Sequence, residues 1–336
     1  MRIACVAYRC LFVVSFCLCA VANAEHLGLV LSGGGAMGAY EVGVWQELQT
    51  AGLASNVTVV SGTSVGALNA ALFATRPDAA ERLWFEKMDE VFTINTNRVG
   101  ESIQKTLDDV SKAVEVAKET GENWKGVVSF LGNSLLRGAD NYVKIKSSRE
   151  SYVGYIDSSK LAIALNETLP RVWSAASPAV YVTAVEKGGS GVSKTWRLNT
   201  ESHERRVLML RASAAIPVGF DTVVIDGTPY VDGGWETEGG NNAPLDPILY
   251  NHPDIKTVVI VYLIVGEHRR ARNREVASAS GVRLIEIIPT EDISGVFGVG
   301  GVFDTSPETA HRLIELGRKD ARKVLAEAGM ERSAGG

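Results

Sequence analysis

The chain has 336 residues, of which 34 are basic, 39 are acidic and 46% are hydrophobic. An acidic balance of −5 excludes a protein that holds nucleic acid through its overall field. The length accommodates one large α/β domain with a substantial core and does not require two.

In chain order, the first feature is a signal-like leader. Arg2 and Arg9 flank the start of an apolar stretch through Leu11-Phe12-Val13-Val14, and Ala22-Asn23-Ala24 has the A-x-A form of a secretory cleavage site. Residues 1–24 are therefore read as a signal peptide, with the mature chain beginning near Glu25 in the periplasm or outside the cell. All four cysteines (Cys5, Cys10, Cys17, Cys19) lie within this leader, so the remainder can form no disulfide. The leader carries two arginines and no acid, and its removal takes the net charge to about −7. No second apolar run of about 18 residues follows, so nothing else reads as a membrane span.

Residues 27–32 are a nearly continuous apolar run ending in Gly33-Gly34-Gly35, and residues 36–48 then read as a helix. The plan repeats with a strand over 57–60, a turn at Gly62-Thr63-Ser64 and a helix over 67–73. Unbroken apolar strands alternating with helices predict a mostly parallel sheet covered on both faces. Further strands are expected over 180–185, 222–225, 257–263 and 283–288. Between residues 78 and 157 the character is helical and polar. There Ile103, Leu107, Val110, Val114 and Ala117 form one apolar face, read as a helix packed on the core. A capped amphipathic helix is expected over 307–328, with Pro307 in its first turn. No linker, repeat or low-complexity tract divides residues 25–336, which read as a single domain.

Gly33-Gly34-Gly35-Ala36-Met37-Gly38 matches G-x-G-x-x-G between a strand and a helix, the setting of a dinucleotide fingerprint. That reading needs an acid at the end of the second strand to bind ribose, and no Asp or Glu occurs between Glu47 and Asp78. Nor does a Lys-Ser or Lys-Thr follow, as a phosphate-binding loop requires. Backbone N–H groups of consecutive glycines at a helix start instead suit a developing oxyanion.

Gly62-Thr63-Ser64-Val65-Gly66 is a G-x-S-x-G between strand and helix, with Gly62 and Gly66 clearing the elbow that would expose a nucleophilic Ser64. The pentapeptide alone is weak; beside a glycine nest it reads as a nucleophile. None of His26, His203, His252, His268 and His311 sits in a small-residue turn at a strand end, and His203 lies in a solvated polar run. Asp232, in Val231-Asp232-Gly233-Gly234 after an apolar stretch, does occupy such a turn. An ordinary Asp-Gly turn is the plain alternative.

LSGGGAMGAYEVGV, SGTSVGALNAAL and RASAAIPVGFDTVVIDGTPYVDGG, followed by Asn241-Asn242-Ala243-Pro244, together resemble the signature blocks of the patatin-like phospholipase family in their order, over residues 27–245. The stretch from Phe303 to Pro307 and the helix after it resemble the close of bacterial members. The resemblance implies a three-layer α/β/α fold and an exported lipid acyl hydrolase. It implies a Ser64–Asp232 dyad, an oxyanion hole at Gly33, Gly34 and Gly35, and supporting glycines Gly38, Gly62, Gly66, Gly233 and Gly234. It implies no metal or organic cofactor, a lipid or acyl-ester substrate with or without a membrane surface, and no nucleic-acid partner. Two departures stand out: Met37 occupies a position commonly Arg or Lys, and residues 235–240 look inserted between the Asp turn and Asn241. A weakly catalytic lipid-binding protein on the same scaffold is the alternative.

Overall fold

A computed structural model describes residues 25–92, 156–188, 193–217, 219–235, 239–293 and 304–330. The leader at 1–24, the apolar face expected over 103–117, and residues 236–238 of the inserted stretch lie outside these residues.

Strand β1 (Leu27–Leu31) leads through a 3₁₀ turn at Gly35–Gly38 into α1 (Ala39–Thr50). The α-helix thus starts three residues later than expected, because Gly35 at φ 58° begins a tighter turn first. Strand β2 (Val57–Thr63) is followed by α2 (Val65–Thr75) with Ser64 alone between them. Then come α3 (Pro77–Glu86), α4 (Met88–Val91) and α5 (Ser158–Thr168). Strands β3 (Ala179–Glu186) and β4 (Ser193–Arg197) precede α6 (His203–Ser213), and the hairpin β5 (Val223–Ile225) and β6 (Thr228–Asp232) follows. The chain closes with α7 (Asp246–Asn251), β7 (Thr257–Val261), α8 (Glu267–Ala279), β8 (Arg283–Ile287) and α9 (Pro307–Glu327).

These strands make one sheet in which β1 is central, parallel to β2 and β7, with β3 parallel to β2 and β8 parallel to β7. Strands β4, β5 and β6 add an antiparallel margin. Alternate residues of β1 face opposite ways. Leu27, Leu29 and Leu31 enter a core with Leu48 of α1, Leu72 of α2 and Leu313 of α9, whereas Val30 enters a second core with Ile248 of α7 and Ala277 of α8. The result is the expected α/β/α sandwich. Among the described residues no helix is long and apolar enough to cross a membrane.

One pairing positions the site. Tyr181 of β3 pairs with both Ser61 of β2 and Arg197 of β4, and Ala184 pairs with both Lys194 of β4 and Asp232 of β6. Since β4 occupies one edge of β3 throughout, β2 and β6 share the other edge, end to end. Thr63, the last residue of β2, pairs with Thr183, and Asp232, the last of β6, pairs with Ala184 next to it. Two strand ends from distant parts of the chain therefore meet head on.

The polar run around His203 is not a solvated loop. Ser202 caps α6 by accepting from the Arg205 N–H, and His203 and Arg206 are buried. The Arg206 guanidinium donates to the carbonyls of Leu198, Arg171 and Asn199 and lies over the Trp173 ring at 4.5 Å. Its charge is absorbed by helix-end and loop carbonyls, a tertiary arrangement that local polarity conceals.

Candidate active site

Ser64 takes a φ of 55° and a ψ of −128°, a backbone state that L-residues rarely adopt. The strand-to-helix reversal has no spare residue, so the strain falls on this position. Close approach explains its glycines: a Cβ on Gly62 would sit 2.4 Å from the Gly66 carbonyl oxygen, and one on Gly66 would sit 2.4 Å from that of Leu31. The Ser64 N–H donates to Ser213 Oγ at 2.8 Å, and the Ser213 hydroxyl donates to the Thr183 carbonyl at 2.6 Å. The elbow is thereby tied to α6 and to β3.

Asp232 ends β6 with its own N–H on the Ala215 carbonyl at 2.9 Å, and the Gly233 N–H reaches the Ser213 carbonyl at 3.2 Å. Its Oδ1 accepts from the Gly234 N–H at 2.8 Å. Oδ2 is buried and accepts no aligned hydrogen bond among the described residues. Burial pushes this carboxyl from 3.8 up to about 6, while the neighbouring Ser64 side chain and the Gly234 N–H pull it back down.

The histidines lie elsewhere. His26, His268 and His311 are exposed. His203 Nε2 bonds Asn166 Oδ1, and His252 Nε2 bonds the Tyr181 hydroxyl. Among the described residues none of the five bonds Ser64 or Asp232.

The glycine turn packs directly on the elbow. A Cβ on Gly33 would stand 2.9 Å from Ser64 Cβ, and one on Gly38 would stand 2.4 Å from a Val65 methyl. The Gly33 N–H is already committed, donating to the Asn242 carbonyl at 3.2 Å and to Asn242 Oδ1 at 3.0 Å. Of the three glycine amides expected to face an oxyanion, that of Gly33 is thus engaged by Asn242 in this structure. The Gly34 and Gly35 N–H groups have no protein acceptor among the described residues. Met37, where a cation was the commoner choice, is wholly buried in the apolar core, so packing replaces charge there. Beside Ser64 lies a narrow cleft with a free volume of only about 10 Å³, walled by the apolar side chains of Leu68, Met88, Leu161, Ala214 and Phe220.

Three polar residues near the site, Asn241, Asn242 and Glu41, were given no role from the sequence. Asn241 and Asn242 bridge all three turns, and the sole local signal was the Asn-Asn-Ala-Pro stretch. Glu41, in the first turn of α1, is fully buried against Asn69 of α2, whose Nδ2 donates to Glu41 Oε2 at 2.8 Å and to the Gly38 carbonyl at 2.9 Å. Burial holds the Glu41 carboxyl well above its ordinary 4.5, against the Asn69 and Ser32 bonds that lower it. The folded state therefore keeps a proton that the unfolded chain releases above 4.5, and stability falls as pH rises past that value. Glu41→Gln removes the titration. Its unfolding free energy is expected to gain on the wild type as pH rises above 4.5, by up to about 1.4 kcal/mol per pH unit for as long as the folded carboxyl holds its proton. A gap that stays constant over that rise would contradict a neutral Glu41.

The family model of patatin-like phospholipases matches residues 29–249. A patatin-like phospholipase domain-containing protein of Caenorhabditis elegans, ZK370.4, is 38% identical over 80 residues, 22% of this chain and 6% of its own. Lysophospholipase nte1 of Aspergillus terreus is 48% identical over 54 residues, 16% of this chain and 3% of its own. The matched stretches are thus a small part of either relative. Among solved structures, human GIVD cytosolic phospholipase A2 aligns over 92% of this chain and 59% of its own at a TM-score of 0.46 and 12% identity. VipD from Legionella pneumophila aligns over 90% and 67% at 0.42 and 16%. The family match runs without a break from β1 through the serine elbow and the Asp232 turn into α7, and on that match the chain belongs to the patatin-like phospholipase family.

Proposed function

We propose that the protein is an exported serine hydrolase of lipid acyl esters working through Ser64 and Asp232. One observation carries the reading: β2 and β6 abut on one edge of β3, setting a strained serine elbow against a buried carboxylate. Family membership supplies the substrate class, and export rests on the composition of residues 1–24.

In the first step Ser64 Oγ attacks the ester carbonyl while its proton passes to Asp232 Oδ2, the oxygen without a fixed donor. The carbonyl oxygen gains the negative charge and is received by the Gly34 and Gly35 N–H groups at the start of the 3₁₀ turn. Collapse expels the alcohol, which takes the proton from Asp232. Water then attacks the acyl-enzyme by the same route, and the acid leaves. Gly234 orients the carboxylate through Oδ1, and the apolar walls beside Ser64 would have to part to admit an acyl chain.

A fluorophosphonate tests this reading. Intact mass is expected to show one adduct on the wild type, none on Ser64→Ala, and wild-type hydrolysis of a nitrophenyl ester that the variant lacks. Equal labelling of both proteins would remove Ser64 from the mechanism. Lipid binding without label or hydrolysis would leave a binding scaffold.

A further inference from the structure

Three turns make up the candidate site, and all three are hung on one dipeptide. The Thr63 hydroxyl, just before the nucleophile, donates to the Asn241 carbonyl at 2.7 Å. The Asn241 N–H donates to the Gly233 carbonyl at 2.7 Å, just after the base. The Gly33 N–H, just before the proposed oxyanion donors, donates to the Asn242 carbonyl at 3.2 Å.

The Asn242 side chain adds a second set of links. Its Oδ1 accepts the Gly33 N–H at 3.0 Å, and its Nδ2 donates to the Gly33 carbonyl at 3.2 Å and to the Ile264 carbonyl, beyond β7, at 2.9 Å. One amide thus reads both faces of a single glycine, donor to acceptor and acceptor to donor. It also stands against the Asp232 turn, since a Cβ on Gly234 would lie 2.4 Å from Asn242 Oδ1. A glycine has little conformational preference of its own, so a turn of three in succession needs external restraint to hold its amides in one direction. Preorganised donors are what oxyanion stabilisation depends on.

We infer that Asn242 is a positioning residue that clamps Gly33 so that the Gly34 and Gly35 amides hold a fixed direction relative to Ser64 and Asp232. The inference rests on the hydrolase reading above. It assigns Asn242 no contact with substrate: its effect passes through the glycine turn. An isosteric test separates this role from space filling. Asp at 242 keeps the shape and one acceptor but loses both Nδ2 bonds and turns a second oxygen toward the Gly33 and Ile264 carbonyls. Asn242→Ala deletes the side-chain links and leaves only the Asn242 carbonyl on the Gly33 N–H.

The experiment compares wild type, Asn242→Ala and Asn242→Asp by steady-state kinetics, melting, and inhibition by an acyl trifluoromethyl ketone. The ketone carbon bonds to Ser64 Oγ, the serine proton goes to Asp232, and the ketone oxygen becomes the oxyanion. Expected is a fall in kcat of about 10- to 100-fold in both variants, with KM nearly unchanged and ketone affinity falling in step with kcat/KM. Asn242→Asp is expected to be at least as impaired as Asn242→Ala. If the alanine variant does not fold, Asn242→Ser carries the same comparison. Wild-type kcat and ketone affinity in a folded Ala or Ser variant would overturn the inference, as would an Asp variant that restores activity by shape alone. Failure of the underlying reading looks different: hydrolysis by the wild type would then survive Ser64→Ala, whatever Asn242 does.

Discussion

Asp232→Asn is expected to lower kcat by a factor on the order of 10² to 10⁴, while Gln at each of His26, His203, His252, His268 and His311 leaves activity within about tenfold. The asymmetry follows from position. Asp232 is the buried carboxyl facing Ser64, and the histidines are exposed or bonded to Asn166 and Tyr181. The same substitution carries a stability effect of opposite sign. Because burial raises the Asp232 carboxyl from 3.8 to about 6, the folded state binds the proton more tightly than the unfolded chain between those values, and stability falls as pH rises through them. Asparagine cannot ionise, and its Oδ1 can still accept the Gly234 N–H. The inactive variant is therefore expected to melt above the wild type at pH 7 and to lose that advantage near pH 4. A loss of activity accompanied by a lower melting temperature at pH 7 would instead point to a structural defect. Should any folded histidine variant fall as far as Asp232→Asn, the dyad would give way to a triad.

The second large effect is expected far from the chemistry, where α1 and α9 cross. A Cβ on Gly43 would lie 2.0 Å from the Ile314 carbonyl oxygen, and one on Gly317 would lie 2.1 Å from that of Tyr40. Both obstacles are backbone, so the helices can admit a methyl group only by moving apart. Separation would open the contact made by Leu313, Ile314 and Leu316 and strain the bond from the Tyr40 hydroxyl to Asp320 Oδ2 at 3.0 Å. Gly43→Ala and Gly317→Ala are each expected to cost ~3 kcal/mol or more in unfolding free energy, toward the severe end of overpacking. Because α1 follows directly on the glycine turn, the surviving folded fraction is also expected to have reduced kcat. Denaturant unfolding checks the first effect. A loss below ~0.5 kcal/mol, the usual range for a surface substitution, would contradict the close crossing.

The parallel half of the fold was legible because buried strands write themselves as apolar runs. Residues 57–60 and 180–185 announced β2 and β3, though the glycines at 62 and 66 hid how far β2 continues toward the elbow. The antiparallel margin was harder. Ser193–Arg197 is half exposed and carries no apolar run, whereas the apolar stretch through Tyr230-Val231 marked the end of Thr228–Asp232 despite Pro229. Ser64, Asp232 and the glycine turn stood out because each needs unusual residues at a strand end. What local pattern could not convey was occupancy: Gly33 is engaged by a residue 209 positions away. Glu41, likewise, looks like an ordinary helix-start acid until Asn69 and the core close over it.

The rate at which a fluorophosphonate labels Ser64, followed across pH, tests the Ser64–Asp232 pairing most directly, since it isolates the attack step from release and from substrate solubility. In the proposed mechanism ionised Asp232 accepts the proton, so labelling of the wild type is expected to rise with pH and level off above about 6. In Asp232→Asn the rate should be low and the limb gone. A limb near pH 6 that persists in Asp232→Asn, or that disappears in one of the histidine variants, would contradict the account.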